Sequence, residues 1–133
     1  ALSKGFSHLI LCCALGGRLD HLYANLQALG YVACNHATAE LYGEWEHIRT
    51  FTGGSLDLPK REGWAFSLFS LSDFCEDLCI SGAVYSAEHI MLKNTFPLGL
   101  SNSWKEEMVS LSMKKGILLI MESALPNIRS HGD

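Results

Sequence analysis

The chain has 133 residues, 48% hydrophobic and 18% charged, as expected for one ordinary globular domain or two small ones. Its net charge of −4 argues against a non-specific nucleic-acid binder, which would normally be basic. No apolar run approaches the roughly 18 residues that a membrane span requires, so we expect neither a nucleic-acid nor a membrane partner.

The chain opens on a pattern typical of the last turn of a helix, with Gly5 as the residue that ends it. A domain seldom begins at the end of a helix. We therefore expect this sequence to be a fragment of a longer protein.

A strand, a glycine loop and a helix are predicted next. Residues 8–13 form a continuous apolar run, which is typical of a strand buried on both faces in a parallel sheet. Residues 15–18 form a tight loop, and a helix is predicted from Leu19 to about Asn35. Its apolar face is predicted from leucines at intervals of three and four, namely Leu19, Leu22, Leu26 and Leu29.

The remainder has the pattern of an antiparallel β protein, with short strands separated by turns that contain Gly or Pro. The predicted strands are 38–42, 47–52, 64–70, 77–81, 89–95, 108–113 and 116–121. We therefore predict an α/β segment over residues 1–43 and an antiparallel β-sandwich over residues 44–133.

The five cysteines do not form a disulfide framework, which favours a reducing, cytoplasmic location. A zinc site made of Cys34, His36, Cys75 and Cys79 would match no paired C-x-x-C pattern. We interpret these cysteines as ordinary small buried side chains.

The glycine loop has the residue types that bind phosphate. Gly16 and Gly17 let the backbone turn sharply and approach a ligand closely. The helix that follows presents unpaired N–H groups and a partial positive charge, and Arg18 adds a planar cation. Asp20, on the first turn, offers the hard oxygen ligand that Mg²⁺ prefers.

Each of these features also has a purely structural interpretation. The glycines could serve only a turn, and Arg18 and Asp20 could form a solvated pair worth about 0–1 kcal/mol. His21 and Asn25, four residues apart on one helical face, could be surface polar groups. The loop matches neither the dinucleotide fingerprint nor the Walker A pattern.

Several segments resemble one enzyme family. "GGRLDH" followed by "ANL" resembles the G-G-R-x-D-H-x-x-x-N stretch of bacterial thiamine pyrophosphokinases. "LPKREGWAFSLFSL" resembles the start of the family's β-sandwich, "FPLGLSNSW" its Ser-Asn segment with a nearby aromatic, and "GILLIM" its final strand. The resemblance spans nearly the whole chain.

The resemblance implies a Mg²⁺-dependent kinase of thiamine diphosphate biosynthesis. Members of the family transfer pyrophosphate from ATP to the hydroxyl of thiamine, giving thiamine diphosphate and AMP. They join a Rossmann-like nucleotide-binding α/β domain to an antiparallel β-sandwich, and they form homodimers with thiamine at the subunit interface. Residues 1–43 would be the C-terminal part of the catalytic α/β domain, and residues 44–133 would be the thiamine-binding sandwich.

The resemblance also implies roles for the loop residues. Arg18, together with the two glycines, would contact the phosphates being transferred. Asp20 would bind Mg²⁺ or orient the thiamine hydroxyl, and His21 and Asn25 would support the loop.

In the sandwich, the resemblance implies that Ser101 and Asn102 hydrogen-bond the aminopyrimidine ring of thiamine. Trp104 would stack on this flat, cationic ligand. Without the family, Trp104 would be interpreted as a core aromatic, and Ser101 with Asn102 as a turn.

The chain departs from the family in two respects. The upstream D-S-D and T-D motifs, which bind metal and nucleotide, are absent, and Ala83-Val84-Tyr85 lacks the lysine that relatives often have there. We therefore expect the chain alone to be inactive, and its first strand to expose apolar surface that promotes association.

Two other functions remain open. One is a non-catalytic β-sandwich module that binds a small molecule or a partner chain. The other is a different nucleotide enzyme, such as a phosphatase, which we rank lower because metal hydrolysis sites need more Asp and His ligands than this loop offers.

Overall fold

The computed structural model describes residues 1–12 and 15–130, which form two β-sheets, one long helix and short helical turns. The elements are a 3-10 turn at Leu2–Lys4, β1 (His8–Cys12), α1 (Leu19–Cys34), β2 (Thr38–Tyr42), β3 (Glu46–Phe51), β4 (Gly54–Pro59), β5 (Trp64–Ser70), β6 (Phe74–Ser81), β7 (Ala87–Lys93), β8 (Gly99–Asn102), β9 (Met108–Met113), β10 (Leu118–Ala124) and α2 (Pro126–Arg129). Within this part of the chain, no helix is long and apolar enough to cross a membrane.

The larger sheet has six strands in the order β1-β2-β3-β10-β5-β8. Only β1 and β2 pair in parallel, and the other neighbours are antiparallel. The second sheet is antiparallel, in the order β4-β9-β6-β7. The predicted fold class, a strand–loop–helix remnant followed by an antiparallel sandwich, is confirmed.

Two hydrophobic cores lie on the two faces of the six-stranded sheet. Helix α1 covers one face of β2, β3 and β10, where Leu29, Leu41 and Ile48 are buried. The four-stranded sheet covers the opposite face of β5 and β10, where Phe66 and Ile120 are buried. The sandwich therefore begins only halfway across the sheet, and one face of β1 and β2 lies outside it.

The prediction that the first strand is buried on both faces is wrong for this chain. His8, Ile10 and Cys12 are exposed, because β1 is an edge strand covered by α1 on one face only. Ile10 is 58% exposed and Leu19 is 78% exposed, so apolar surface is displayed here, as we expected. The predicted last residue of this strand, Cys13, lies outside the described residues.

Strand β2 pairs with β3 through Glu40↔Arg49, Leu41↔Ile48 and Tyr42↔His47. One sheet thus continues across the position at which the two parts of the chain are predicted to meet. The division at residue 43 stays a prediction.

Two strands were not predicted because turn residues obscure them. Strand β4 begins at Gly54 and ends at Pro59, and its place is determined by the ladder with β9. Strand β8 follows a Pro-Leu-Gly sequence. A Cβ atom at Gly99 would lie 2.3 Å from the carbonyl oxygen of Leu68, so glycine is required for β8 to approach β5.

Candidate functional site

The glycine loop joins the end of β1 to the N-terminus of α1. Gly17 has a φ of 89°, in the left-handed region that favours glycine. Arg18 is the N-cap residue of α1 and contributes no side-chain cap, so its guanidinium is not used to satisfy the helix end. The helix N-terminus therefore presents backbone N–H groups and a cation at one place, an arrangement that attracts anions.

Arg18 and Asp20 form an exposed ion pair. Arg18 Nη2 lies 2.7 Å from Asp20 Oδ2, and the two side chains are 76% and 58% exposed. The other carboxylate oxygen of Asp20 accepts a hydrogen bond from the backbone N–H of His21 at 2.9 Å. Because exposed pairs contribute only about 0–1 kcal/mol, a phosphate group could replace Asp20 as the partner of Arg18 at little cost.

The other two predicted loop residues lie on the first two turns of α1. The side chain of His21 is exposed, whereas Asn25 is half-buried and engaged with a partner. These positions fit residues that flank a site.

A magnesium ion at this loop would have one protein carboxylate. Asp20 offers oxygen ligands, and Mg²⁺ is commonly held by one or two carboxylates together with substrate phosphates and water. No group of three or more His, Cys, Asp or Glu ligands converges at this loop among the described residues. Asp20 therefore fits a shared metal site in which nucleotide phosphates supply further ligands.

Asn102 is a buried residue on β8 that fixes the chain around Tyr85. Its Nδ2 donates to the Tyr85 carbonyl at 2.8 Å, and its Oδ1 accepts from the Tyr85 N–H at 3.0 Å and the Ser103 N–H at 2.9 Å. Only 8% of the residue is exposed. The amide therefore acts chiefly as a clamp between β8 and the Tyr85 segment.

Ser101 is exposed and has a φ of 57°, and its backbone N–H donates to Ser67 Oγ at 3.0 Å. No hydrogen bond of its hydroxyl is present among the described residues. The hydroxyl is thus available to a ligand.

Trp104 lies in the sandwich core. It is 8% exposed, its Nε1 donates to the Leu58 carbonyl at 2.9 Å, and its ring packs edge-on against Phe66 with centroids 5.0 Å apart. Trp104 is therefore a core aromatic residue, as expected if the resemblance is set aside. Its indole ring has no open face for the stacking on thiamine that the resemblance implies.

An apolar cleft lies between the edge strands β7 and β8 of the two sheets. It has a volume of about 310 Å³, and its walls include Leu68, Ile90 and Leu100. Asn102 and Tyr85 also line it, and Tyr85 is 68% exposed. A flat ring would find apolar walls and an aromatic side chain here. Sequence reasoning missed this cleft because its walls come from strands that are distant in the chain.

The loop and the cleft lie at opposite edges of the six-stranded sheet. Paired residues on neighbouring strands form one row across the sheet, from β1 to β8. The row consists of Cys12, Tyr42, His47, Glu122, Phe66 and Asn102. Five inter-strand steps of about 4.8 Å separate the two ends, or about 24 Å. The predicted phosphate and thiamine residues therefore cannot surround one small substrate within a single chain.

The chain is similar to thiamine pyrophosphokinases in sequence and in structure. It is 31% identical over 111 residues to thiamine pyrophosphokinase of Bacillus subtilis (strain 168), a match that covers 81% of this chain and 51% of that protein. No model of a protein family matches it.

The crystal structure of the Bacillus subtilis thiamine pyrophosphokinase aligns with a TM-score of 0.83 at 26% identity, over 92% of this chain and 58% of that one. Thiamin pyrophosphokinase from Geobacillus thermodenitrificans aligns with a TM-score of 0.80 at 21% identity, over 94% and 58%. The Candida albicans enzyme shares the fold, with a TM-score of 0.71 at 15% identity, over 87% and 44%. The chain thus spans about half the length of the curated relative it matches, and over that span it is similar to thiamine pyrophosphokinases in sequence and in fold.

Proposed function

We propose that the protein in which this chain occurs transfers pyrophosphate from ATP to the hydroxyl of thiamine, giving thiamine diphosphate and AMP. The main support is the exposed Arg18–Asp20 pair at the N-terminus of α1, in a chain related to thiamine pyrophosphokinases. We also propose a cytoplasmic location, because the described cysteines are free.

In this proposal the loop binds the phosphates of ATP. Transfer of phosphoryl-type groups needs charge neutralisation and alignment rather than covalent help from the protein. Arg18 would exchange Asp20 for phosphate oxygens, while the N–H groups of α1 point toward the same charge. Asp20, released from Arg18, would hold Mg²⁺, which supplies further neutralisation of the phosphates when it is bound.

The thiamine ring would occupy the cleft between β7 and β8. The exposed Tyr85 ring would supply an aromatic face for a cationic ligand. Ser101 does not line the cleft, but it lies on β8 between the wall residues Leu100 and Asn102, and its hydroxyl would bind a ligand that extends beyond the cleft. Asn102 would hold Tyr85 in place through its amide, and the one remaining Nδ2 hydrogen would be free for the ligand. Trp104 would contribute by packing beneath β8.

We propose that two copies of the chain complete each active site. The loop and the cleft lie about 24 Å apart along one sheet. A homodimer that brings the loop of one protomer to the cleft of its partner would remove this separation, and a two-fold axis would form two such sites.

The test is production of AMP from ATP·Mg²⁺ and thiamine by the full polypeptide that contains this chain. We expect thiamine-dependent AMP formation, and we expect the 133-residue chain alone to be inactive, because the loop has a single carboxylate. Absence of thiamine-dependent AMP formation by the full polypeptide would refute the proposal.

One observation favours a second candidate, a non-catalytic binding module. The cleft is built entirely from sandwich residues and needs no loop residue. Calorimetry separates the two functions. An enzyme should bind both thiamine and ATP·Mg²⁺, and Asp20→Ala should weaken nucleotide binding, whereas a simple module would bind thiamine alone or neither ligand.

A further inference from the structure

We propose that Asp77, Cys79 and His89 bind one Zn²⁺ ion on the outer face of the four-stranded sheet. One ligand atom from each residue lies within 4.8 Å of the other two. His89 Nδ1 is 3.7 Å from Cys79 Sγ and is also hydrogen-bonded to Asp77 Oδ1. In the part of the chain that the structure describes, these are the only three His, Cys, Asp or Glu residues that converge in this way.

Two β-bulges bring these side chains together. The register between β6 and β7 shifts on each side of the Leu78↔Ile90 pair. Between the pairs Cys75↔Leu92 and Leu78↔Ile90, β6 has one residue more than β7. Between Leu78↔Ile90 and Ile80↔Ala87, β7 has one residue more than β6. Asp77 and His89 lie in these bulges with φ values of 58° and 51°, which non-glycine residues seldom adopt. Bulges redirect side chains, and here they direct both toward Cys79.

The geometry favours a metal site over a catalytic relay. In a Cys–His–Asp relay, the two ring nitrogens of histidine face the thiol and the carboxylate separately. Here Nδ1 of His89 faces both Cys79 Sγ and the carboxylate of Asp77. One N–H proton can be donated to only one of them, whereas a cation that displaces the hydrogen bond between His89 and Asp77 would be bound by all three.

The ligand types select zinc. A thiolate and an imidazole suit Zn²⁺, whereas Mg²⁺ and Ca²⁺ prefer oxygen ligands alone. Sulfur and nitrogen ligands of a tetrahedral zinc ion lie about 3.6 Å apart, close to the observed 3.7 Å between Cys79 Sγ and His89 Nδ1. The backbone N–H of His89 also donates to Cys79 Sγ at 3.3 Å, a contact that stabilises a thiolate.

The site is open to solvent. The side chains of His89 and Asp77 are 74% and 46% exposed, so an ion can reach them. A depression of about 570 Å³ borders Cys79 and His89, with Glu88 on its wall. The fourth position of a tetrahedral ion would therefore be filled by water or by Glu88.

The test is a titration of the metal-free chain with Co²⁺, a spectroscopic substitute for zinc, followed by displacement with Zn²⁺. We expect one ion per chain and a thiolate-to-cobalt charge-transfer band. Cys79→Ser should abolish the band, and loss of this ligand should weaken zinc binding by about tenfold or more. Cys34→Ser, which changes an exposed cysteine on α1, should leave both unchanged.

A charge-transfer band that survives Cys79→Ser would overturn the proposal, as would zinc affinity that is the same in His89→Ala as in the parent. Circular dichroism and the melting temperature of the metal-free variants establish whether they fold. If Cys79→Ser does not fold, the zinc affinity of His89→Ala, a substitution at an exposed position, tests the proposal instead.

Discussion

His47 lies between Glu40 and Glu122, with each ring nitrogen facing a carboxylate. Nε2 is 2.8 Å from Glu40 Oε1, and Nδ1 is 3.2 Å from Glu122 Oε2. One imidazole ring on β3 thus contacts a carboxylate of β2 and a carboxylate of β10. The Tyr42 ring stacks on it with centroids 4.3 Å apart. This network ties β2, β3 and β10 together on the face that α1 leaves open.

Acid should destabilise the fold through Glu122. Burial acts to raise its pKa, but the hydrogen bond from His47 and the charges of Arg49 and Arg61 outweigh it and hold the pKa below the ordinary 4.5. Below pH 4.5 the unfolded chain takes up a proton that the folded chain does not bind. The stabilisation is therefore complete above pH 4.5 and is lost as the pH falls through the folded-state pKa.

Urea unfolding at a series of pH values measures this effect. Glu122→Gln should flatten the fall in the free energy of unfolding below pH 4.5, whereas Glu107→Gln, at a side chain that is 91% exposed, should keep the parent's profile. An unchanged profile in Glu122→Gln would contradict the assignment of this acid sensitivity to Glu122.

Asn102 and Ser101 should separate stability from ligand binding. Asn102→Asp removes the donor to the Tyr85 carbonyl and places a charge at a buried position, so we expect a loss of about 1–3 kcal/mol in the free energy of unfolding.

Ser101→Ala should keep the free energy of unfolding within about 0.5 kcal/mol of the parent's. It should weaken thiamine binding by about five- to tenfold, the value of one hydrogen bond worth about 1 kcal/mol. Urea unfolding and calorimetry provide the two readouts, and full thiamine affinity in Ser101→Ala would remove Ser101 from the site.

The two loop glycines should respond differently to alanine. Neither would bring a new Cβ atom within 4 Å of another group, but Gly17 has a φ of 89° and Gly16 lies outside the left-handed region. Gly17→Ala should therefore lower the free energy of unfolding by about 1 kcal/mol, while Gly16→Ala should change it by less than about 0.5 kcal/mol. Equal effects of the two substitutions in urea unfolding would show that the backbone at Gly17 does not determine the loop.

A site shared by two protomers predicts complementation between inactive variants. In the full polypeptide, Asp20→Ala should lose several kcal/mol of transition-state stabilisation, because phosphate charge is no longer neutralised correctly. Asn102→Ala should disable the cleft. When the two variants are unfolded and refolded together in equal amounts, half of the dimers carry one intact site, and activity should return to about a quarter of the parent's.

Each variant refolded alone provides the control for this experiment and should remain inactive. A mixture no more active than its components would argue against a site shared between protomers. Turnover of Asp20→Ala within a few-fold of the parent would by itself exclude the role assigned to Asp20.

Local structure was predictable wherever neighbouring residues determine it. Leucine spacing predicted α1 almost to the residue, and β2, β5 and β9 were predicted with the bounds that the structure has. The loop of Arg18 and Asp20 could also be recognised, because its residues are contiguous. Their roles stay predictions, as do those of His21 and Asn25.

The pairing of distant segments could not be predicted from the sequence. An apolar run such as β1 has the same pattern at the centre of a sheet as at its edge, so its exposed face depends on which strands flank it. In the sequence, Trp104 is equally compatible with a core position and with a ligand-binding surface. Its contacts with Leu58 and Phe66 show that it lies in the core.

The sequence by itself thus determined most of the local elements and the resemblance to thiamine pyrophosphokinases, because side-chain spacing and backbone preference act over a few residues. Only the tertiary structure decided that the loop and Asn102 lie at opposite ends of one row, and that His89 meets Asp77 and Cys79. Such contacts depend on strand register, which is set by the combined packing of residues far apart in the chain.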